Sequence, residues 1–487
     1  MPDVDPIPTY ENFFGSDITS EIDTAFNTVL LIGKGEKGQP YSDVSCSPLK
    51  LLQRQDEVDD YYDKDSDIAI AFKYFKKHGG GLRAYCLNAS NATKGTGWLL
   101  DGSSAQLIKL TAANWGSWSA DIGIKVENNT TYVIITITDP ADSGIKVVSD
   151  QLTSLTQVLQ FLNVSGEDYF AAQQQTELST LPATFDNTLA ATYDYAAGTN
   201  PDPTVTDYEN IIAFLPQWIQ VNNIRWICPV ADLSGADQHN IYQQFRDLAI
   251  AQRLAGYPIQ IICGGIVGDI VIDAGDTTDP VYRTGIYNSQ DVLFCAPGID
   301  NLGAFISFAP AIVGWLNKSP ICHNLTADEI FAWRLETIYS TADLETLIDA
   351  GVISIIKSKN SYNVSKGVNT LQDNDSIWNV VSGTTILPSQ RAIADYVQKT
   401  FKEDLERFVG SDGVTSRQLL SRCNYLWDNL ATTNPNIFGE NLTNELLPYR
   451  VDNIVQVGSE AWNIALTFIP AFQTNFIGLN VQICTNY

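Results

Sequence analysis

YENIIAFLPQWIQVNNIRWICPV, residues Tyr208 to Val230, runs on into QHNIYQQFRDLAIAQRL (Gln238 to Leu254) and PIQIIC (Pro258 to Cys263). Tyr208 to Gln220 reads as a helix, Ile224 to Val230 as a short buried strand, Gln238 to Leu254 as a second helix and Pro258 to Cys263 as a second strand. Helices alternating with short apolar strands point to an α/β core with a partly parallel sheet. Asp291 to Cys295 and Val352 to Ile356 are further strand candidates downstream. Upstream, Thr28 to Ile32 is a buried strand ended by Gly33, and Leu49 to Asp56 is expected as a short helix. Asp67 to Lys77 is a helix with Ile68, Phe72 and Phe75 on one face, broken by Gly79-Gly80-Gly81, and Arg83 to Leu87 resumes as a strand.

Between these stretches the composition changes. No arginine occurs from Ala84 to Ile224, and Thr, Asn, Ala and Asp dominate near and beyond Asn88. Asp121 to Val126 and Tyr132 to Thr138 read as a hairpin about Asn128-Asn129. Leu152 to Leu162 reads as a helix, and 171–205 as surface loop. The expected organisation is a mixed α/β (α+β), multidomain chain. It has an N-terminal arm at 1–20, rich in proline, and a core domain at 21–90 and 206–460. A mainly-β outer domain is inserted at 91–205, and C-terminal strands and an arm occupy 461–487.

Near the end, Ser389 to Val409 is an amphipathic helix with Ile393, Val397, Phe401 and Leu405 on one face. Ser416 to Leu430 is another, carrying Arg417, Arg422, Leu419, Leu426 and Trp427. Trp462, Ile464, Leu466 and Phe468 then alternate with Asn463, Ala465 and Thr467. After Pro470, Ile477, Leu479, Val481 and Ile483 alternate with Gly478, Asn480 and Gln482. Such a strand is an edge that pairs within its own sheet, the commoner outcome, or completes a sheet in a neighbouring copy.

The 487 residues suggest two or three domains, and 44% hydrophobic content with 10% aromatics is that of packed globular protein. A formal charge of −27 argues against phosphate-neutralising contact with nucleic acid, and high solubility is its simplest meaning. Eight scattered cysteines without a CxxC pair, most in apolar runs, read as buried thiols. The start shows no secretory signal pattern, and no run is long enough to span a membrane.

Chemistry is hard to find. Gly33-Lys34-Gly35-Glu36-Lys37-Gly38 is formally a GxGxxG turn after a strand, with Glu57 at about the ribose-binding distance. The dinucleotide fingerprint, however, needs a helix opening at the last glycine, and Pro40 and Ser47-Pro48 stand there instead. A tight glycine turn is the plainer reading, and a nucleotide-binding enzyme the alternative. His78, His239 and His323 lack ligand spacing, and no GxSxG, Walker A or HExxH motif is present. Asp56-Glu57-Val58-Asp59-Asp60 reads as a solvated face. The sequence thus offers no catalytic residue, no metal ligand set and no cofactor.

In chain order the sequence resembles the contractile tail sheath proteins of myophages, R-type pyocins and related contractile injection machines. The resemblance lies in TVLLIG to GQP (Thr28 to Pro40), AIAFKYFKKHGGG with LRAYCL (Ala69 to Leu87), and LTAANWGSWSADIGIKV (Leu110 to Val126). In the last of these Ser119-Ala120 stands where Gly-Asn is usual. It continues through Thr206 to Pro229, YNSQDVLFCAPG (Tyr287 to Gly298), PAIVGWLNKSPICHNL (Pro310 to Leu325), LIDAGVISI (Leu347 to Ile355), GVNTL (Gly367 to Leu371) and SQRAIADYVQKTFKEDLERFVG (Ser389 to Gly410). It reaches nearly the whole chain outside much of 130–205.

The resemblance implies a structural protein without catalysis or cofactor. Copies would stack as rings, hexameric in the family, around a tail tube protein, between baseplate and tail terminator proteins. Contraction from an extended metastable state would drive the tube through a cell envelope during genome ejection. There would be no direct nucleic-acid contact and no membrane insertion. The place would be the virion tail, assembled in the host bacterial cytoplasm, or a bacterial injection or secretion system. Terminal arms completing a sheet in adjacent subunits would make Ile477, Leu479, Val481 and Ile483 the inter-subunit strand. A tube-facing helix maps by position to Ser416 to Leu430, with Ser389 to Val409 as runner-up, so that Arg417 and Arg422 would meet acidic tube groups or simply lie on a solvated face.

Overall fold

A computed structural model describes residues 28–43, 47–81, 84–120, 122–139, 144–175, 180–186, 198–265, 279–301, 304–318, 325–358, 361–371, 388–408, 413–434, 437–438, 447–457 and 461–468. The expected N-terminal arm and the strand Ile477 to Ile483 lie outside them.

The first part of the chain forms β1 (Thr28–Gly33), β2 (Lys50–Leu52), α1 (Gln55–Tyr62), α2 (Asp67–Lys77) and β3 (Ala84–Asn88). β1 pairs in parallel with β3, and β2 runs antiparallel along the outer edge of β3. The short helix expected at Leu49 to Asp56 is therefore a correction. Leu51 and Leu52 pair as an edge strand, and the helix starts only at Gln55, where the Glu57 carboxylate accepts from the Gln53 and Arg54 amides. α2 starts at a Ser66 cap, whose hydroxyl accepts from the Ala69 amide.

Residues 94–186 form β4 (Lys94–Leu100), β5 (Gln106–Trp115), β6 (Gly123–Asn128), β7 (Val133–Asp139), β8 (Gly144–Val148), α3 (Leu155–Gln160), β9 (Phe170–Gln174) and β10 (Phe185–Asp186). They make two antiparallel sheets, β4-β5-β9 and β10-β6-β7-β8, over one core that includes Leu110, Ile124, Ile135, Val158 and Phe170. The expected hairpin is β6-β7. The loop expected over 171–205 is corrected where described: β9 and β10 are strands, because Phe170 and Phe185 are buried in that core.

The chain then runs α4 (Val205–Asn222), β11 (Ile224–Pro229), α5 (Gly235–Leu254), β12 (Gln260–Gly264), α6 (Pro280–Tyr287), β13 (Val292–Cys295), β14 (Ile299–Asn301), β15 (Ala304–Ile306), α7 (Ala309–Lys318), β16 (Glu329–Ile330), α8 (Thr341–Asp349), β17 (Val352–Ile353), β18 (Ile355–Lys357) and β19 (Tyr362–Val364). The central sheet has seven strands in the order β17-β13-β12-β11-β1-β3-β2, parallel throughout except β2. Val29 and Leu31 enter one core with α2 and α7, while Leu30 and Ile32 enter the other with α4 and α5. Burial on both faces explains the uninterrupted apolar strands of the sequence. The single strand expected at Val352 to Ile356 is two strands in different sheets, parted at the buried Ser354, whose hydroxyl meets that of Ser365.

Last come α9 (Pro388–Leu405), α10 (Ser416–Thr433), β20 (Tyr449–Val457) and β21 (Ala461–Phe468). Among the described residues β20 and β21 form an isolated antiparallel ribbon.

Candidate functional site: the glycine turn and the C-terminal unit

The Gly33–Gly38 turn is occupied by the protein itself. The Gly35 amide donates to Asn88 Oδ1 at 2.9 Å, and the Glu36 and Lys37 amides donate to the Tyr62 carbonyl at 2.9 and 3.4 Å. The Gly38 amide donates to Asn114 Oδ1 at 3.0 Å, and that of Gln39 to the Tyr61 hydroxyl at 3.3 Å. A phosphate-binding loop keeps such amides free for its anion; here protein oxygens already take them. Gly38 has φ +93°, and a Cβ there would lie 2.8 Å from the Tyr62 ring.

The turn also gathers both ends of the 94–186 region. Asn200 donates to the Glu36 carboxylate at 2.8 Å, the Lys34 ammonium meets Asp202 at 2.8 Å, and Ser90 donates to Asn200 at 2.8 Å. Its geometry is that of a joint between chain crossings.

The C-terminal unit has its own core. Trp427 on α10 is 1% exposed, with Phe401 of α9, Tyr449 of β20 and Phe468 of β21 at ring distances of 4.6, 5.2 and 5.8 Å. The alternation read at Trp462 to Phe468 is realised in β21: Trp462, Ile464, Leu466 and Phe468 are half-buried, and Asn463, Ala465 and Thr467 exposed. Among the described residues no strand pairs with the outer edge of either β20 or β21. Val455 and Val457 of β20 are exposed as well.

Arg417 is exposed on the first turn of α10. Arg422 is held inside the unit: its Nε and Nη2 donate to the two Asp404 oxygens at 2.6 and 2.5 Å, and its guanidinium lies 4.6 Å from the Tyr425 ring. Arg407 shares the same carboxylate. The two arginines are thus not equivalent, and only Arg417 is presented outward.

Sequence reasoning missed how α9 is fixed to the core. Its first turns are buried through Pro388, Ser389, Gln390, Arg391 and Ala392. Arg391 donates to Asp395 at 2.7 Å and to Gln290 at 2.9 Å, and lies 3.6 Å from Asp291, which accepts from Arg253 at 2.9 Å. Gln260 donates to Asp395 at 3.0 Å, and Arg225 to the Ala392 carbonyl at 3.2 Å. Burial pushes the Asp291 carboxyl up from its ordinary range, against the pull of Arg391 and Arg253. The only signal in the sequence was the i, i+4 spacing of Arg391 and Asp395, which ordinarily marks a surface pair.

No protein-family model and no curated protein matches the sequence. Solved structures do. The fold is that of the sheath tail protein from Desulfitobacterium hafniense, with a TM-score of 0.62 at 13% identity over 95% of this chain and 100% of that one. A sheath tail protein from Listeria innocua matches with a TM-score of 0.61 at 12% identity, over 91% of this chain and 95% of that one.

Proposed function

We propose that this chain is the structural subunit of a contractile tail sheath, polymerising as stacked rings around a tail tube and contracting from an extended, metastable state. What supports the reading above all is the fold likeness to two sheath tail proteins across nearly the full length of both partners. A second support is the β20-β21 ribbon. A two-stranded ribbon is marginal alone, and its edges, unpaired among the described residues, suit strands donated by neighbouring copies. The Ile477 to Ile483 strand and residues 1–20 are the donors in this reading. Arms exchanged in this way keep rings joined while the contacts between cores change, so contraction passes along the polymer without dissociation. The driving energy comes from inter-subunit burial and charge complementarity, and no nucleotide takes part.

In this reading the partners are further copies of the chain, the tube, a baseplate and a terminator, and α10 faces the tube with Arg417 outward. The place is a phage tail assembled in a bacterial cytoplasm, or a bacterial injection system with the same physics. Electron microscopy of full-length protein, co-expressed with its tube protein, beside a truncation ending at Phe476 tests this. Hollow tubes from the full chain and none from the truncation support both parts. Tubes from both refute the C-terminal arm, and no tubes from the full chain with its tube refute the sheath.

A further inference from the structure

Trp333 is 87% exposed in the 331–340 connection, beside Phe331 at 40%. A tryptophan left almost wholly in water is the residue type that anchors interfaces. Phe331 is held firmly: its amide donates to His78 Nε2 at 2.9 Å, and the Lys77 ammonium lies 5.2 Å from its ring. The Tyr362 hydroxyl reaches the Trp333 carbonyl at 3.5 Å, and a cleft of about 330 Å³ opens among Phe331, Lys357 and Tyr362. Exposed Lys77, Lys318, Arg334 and Lys357 lie about it, against one exposed carboxylate in the lining, Glu329, and Asp300 at 3.5 Å from Arg334. Among the described residues Lys77, Lys318 and Lys357 have no carboxylate partner. That is unusual in a chain with 29 basic residues against 56 acidic ones.

The complement sits at the other end of the same helix. α2 begins beside Lys34, with its Ile68 amide on the Lys34 carbonyl, and ends at His78 beside the aromatic patch. Before its first turn, residues 56–65 carry Asp56, Glu57, Asp59, Asp60, Asp63 and Asp65 against a single lysine. Asp56, Asp60 and Asp65 are exposed, and Asp56 is already paired with Arg54, whose Nε donates to it at 2.9 Å, so the segment's surplus charge rests on the others. One core therefore presents a basic aromatic surface at one end of α2 and an acidic one at the other. Two different surfaces that match each other form a heterologous contact, which propagates from copy to copy.

We propose that the Trp333 patch docks on the acidic 56–65 segment of a second copy of this chain, as one core-to-core contact of the polymer. This rests on the sheath reading for its place in a lattice. Replacing Trp333 by the photo-crosslinker p-benzoylphenylalanine in the full chain, with irradiation and mapping of intermolecular adducts by mass spectrometry, tests it. Adducts on residues 54–66 are expected; adducts elsewhere, or none above the unirradiated background, overturn the proposal. In parallel, Lys77→Glu/Lys357→Glu and Asp56→Lys/Asp60→Lys are each expected to lower polymer yield at least tenfold, and an equimolar mixture of the two variants to recover it in part. Normal tubes from both variants overturn the docking while leaving the sheath reading standing. Absence of tubes from the unmodified chain with its tube counts against the sheath reading, and the crosslinking result still decides the contact.

Discussion

Trp427→Ala removes the centre of the C-terminal core. The side chain is 1% exposed and touches rings from α9, β20 and β21. A buried indole withdraws roughly 200 Å² from water, which at about 25 cal/mol per Å² is about 5 kcal/mol. Truncations of this kind measure about 3–5 kcal/mol because part of the cavity collapses. The unit has little in reserve: its ribbon is half-buried on one face only, and its core is small beside those flanking the central sheet. The loss therefore falls on local opening of this unit. Hydrogen exchange read by mass spectrometry should speed up some hundredfold to several-thousandfold in peptides covering 416–433 and 449–468, while β1, β11 and β12 keep their protection. On the proposed strand exchange, tube formation should fail as well, since the ribbon would lose the fold that accepts a strand. Unchanged exchange over 449–468, or an equal loss in β1 and β11, would refute the reasoning.

Gly35→Ala places a methyl 2.7 Å from the Lys37 carbonyl and from the Tyr62 ring; it should cost about 1–3 kcal/mol in a denaturation experiment, while ATP or NAD leaves the melting temperature of the parent protein unmoved. Arg417→Glu should keep stability within about 0.5 kcal/mol yet weaken co-sedimentation with the tube, whereas Arg422→Ala should cost about 1–2 kcal/mol by stripping Asp404 of its two-pronged partner. Burial lowers the His78 imidazole to about 4, so the unfolded chain binds more protons below pH 6.5 and about 3 kcal/mol of stability is lost between pH 6.5 and 4. Burial, with Asp232 nearby, raises the Asp67 carboxyl to about 6, so the folded chain binds more protons below pH 6 and gains up to about 3 kcal/mol as pH falls toward 4. Asp67→Asn should accordingly be the more stable protein at pH 8 and lose stability more steeply than the parent between pH 6 and 4; equal slopes in denaturant titrations would contradict the Asp67 assignment, and a variant whose stability does not fall over that range would contradict the His78 one.

What was legible in the sequence is what is buried on two faces. Val29 to Ile32, Trp226 to Cys228 and Ile261 to Cys263 are unbroken apolar runs because helices cover both sides of the sheet. β20 went unread because a bulge between Val451 and Asn453 shifts its alternation, and most of its side chains stay in water. β4 is similar, with irregularities at both ends and glycines at positions 95 and 97. The GxGxxG spacing misdirects for a different reason: glycines are needed where backbone approaches anything closely, and here that is Tyr61, Tyr62 and Asn88 rather than a pyrophosphate. Trp333 could not be recognised as exposed, since a tryptophan in a loop gives no period from which to infer a face.

In the proposed sheath, the way α9 is anchored bears on how a subunit changes lattice while keeping its arms. The N-terminal half of the helix is locked to the ends of the core strands by Arg391, Asp395, Asp291 and Gln260, and its C-terminal half packs Phe401 against Trp427. A buried ionic network adds little net stability over an apolar contact of the same size, but it tolerates few geometries, because a displaced partner leaves a charge unpaired. An apolar seam would slide; this one holds a single register. An α-helix of 18 residues is a rod of about 27 Å, so fixing one end fixes where the other meets the core of the ribbon. In the proposed sheath, ribbon and core would then move as one body, and a change in ring spacing would fall on the arms and on contacts between copies, the proposed one between the two ends of α2 among them.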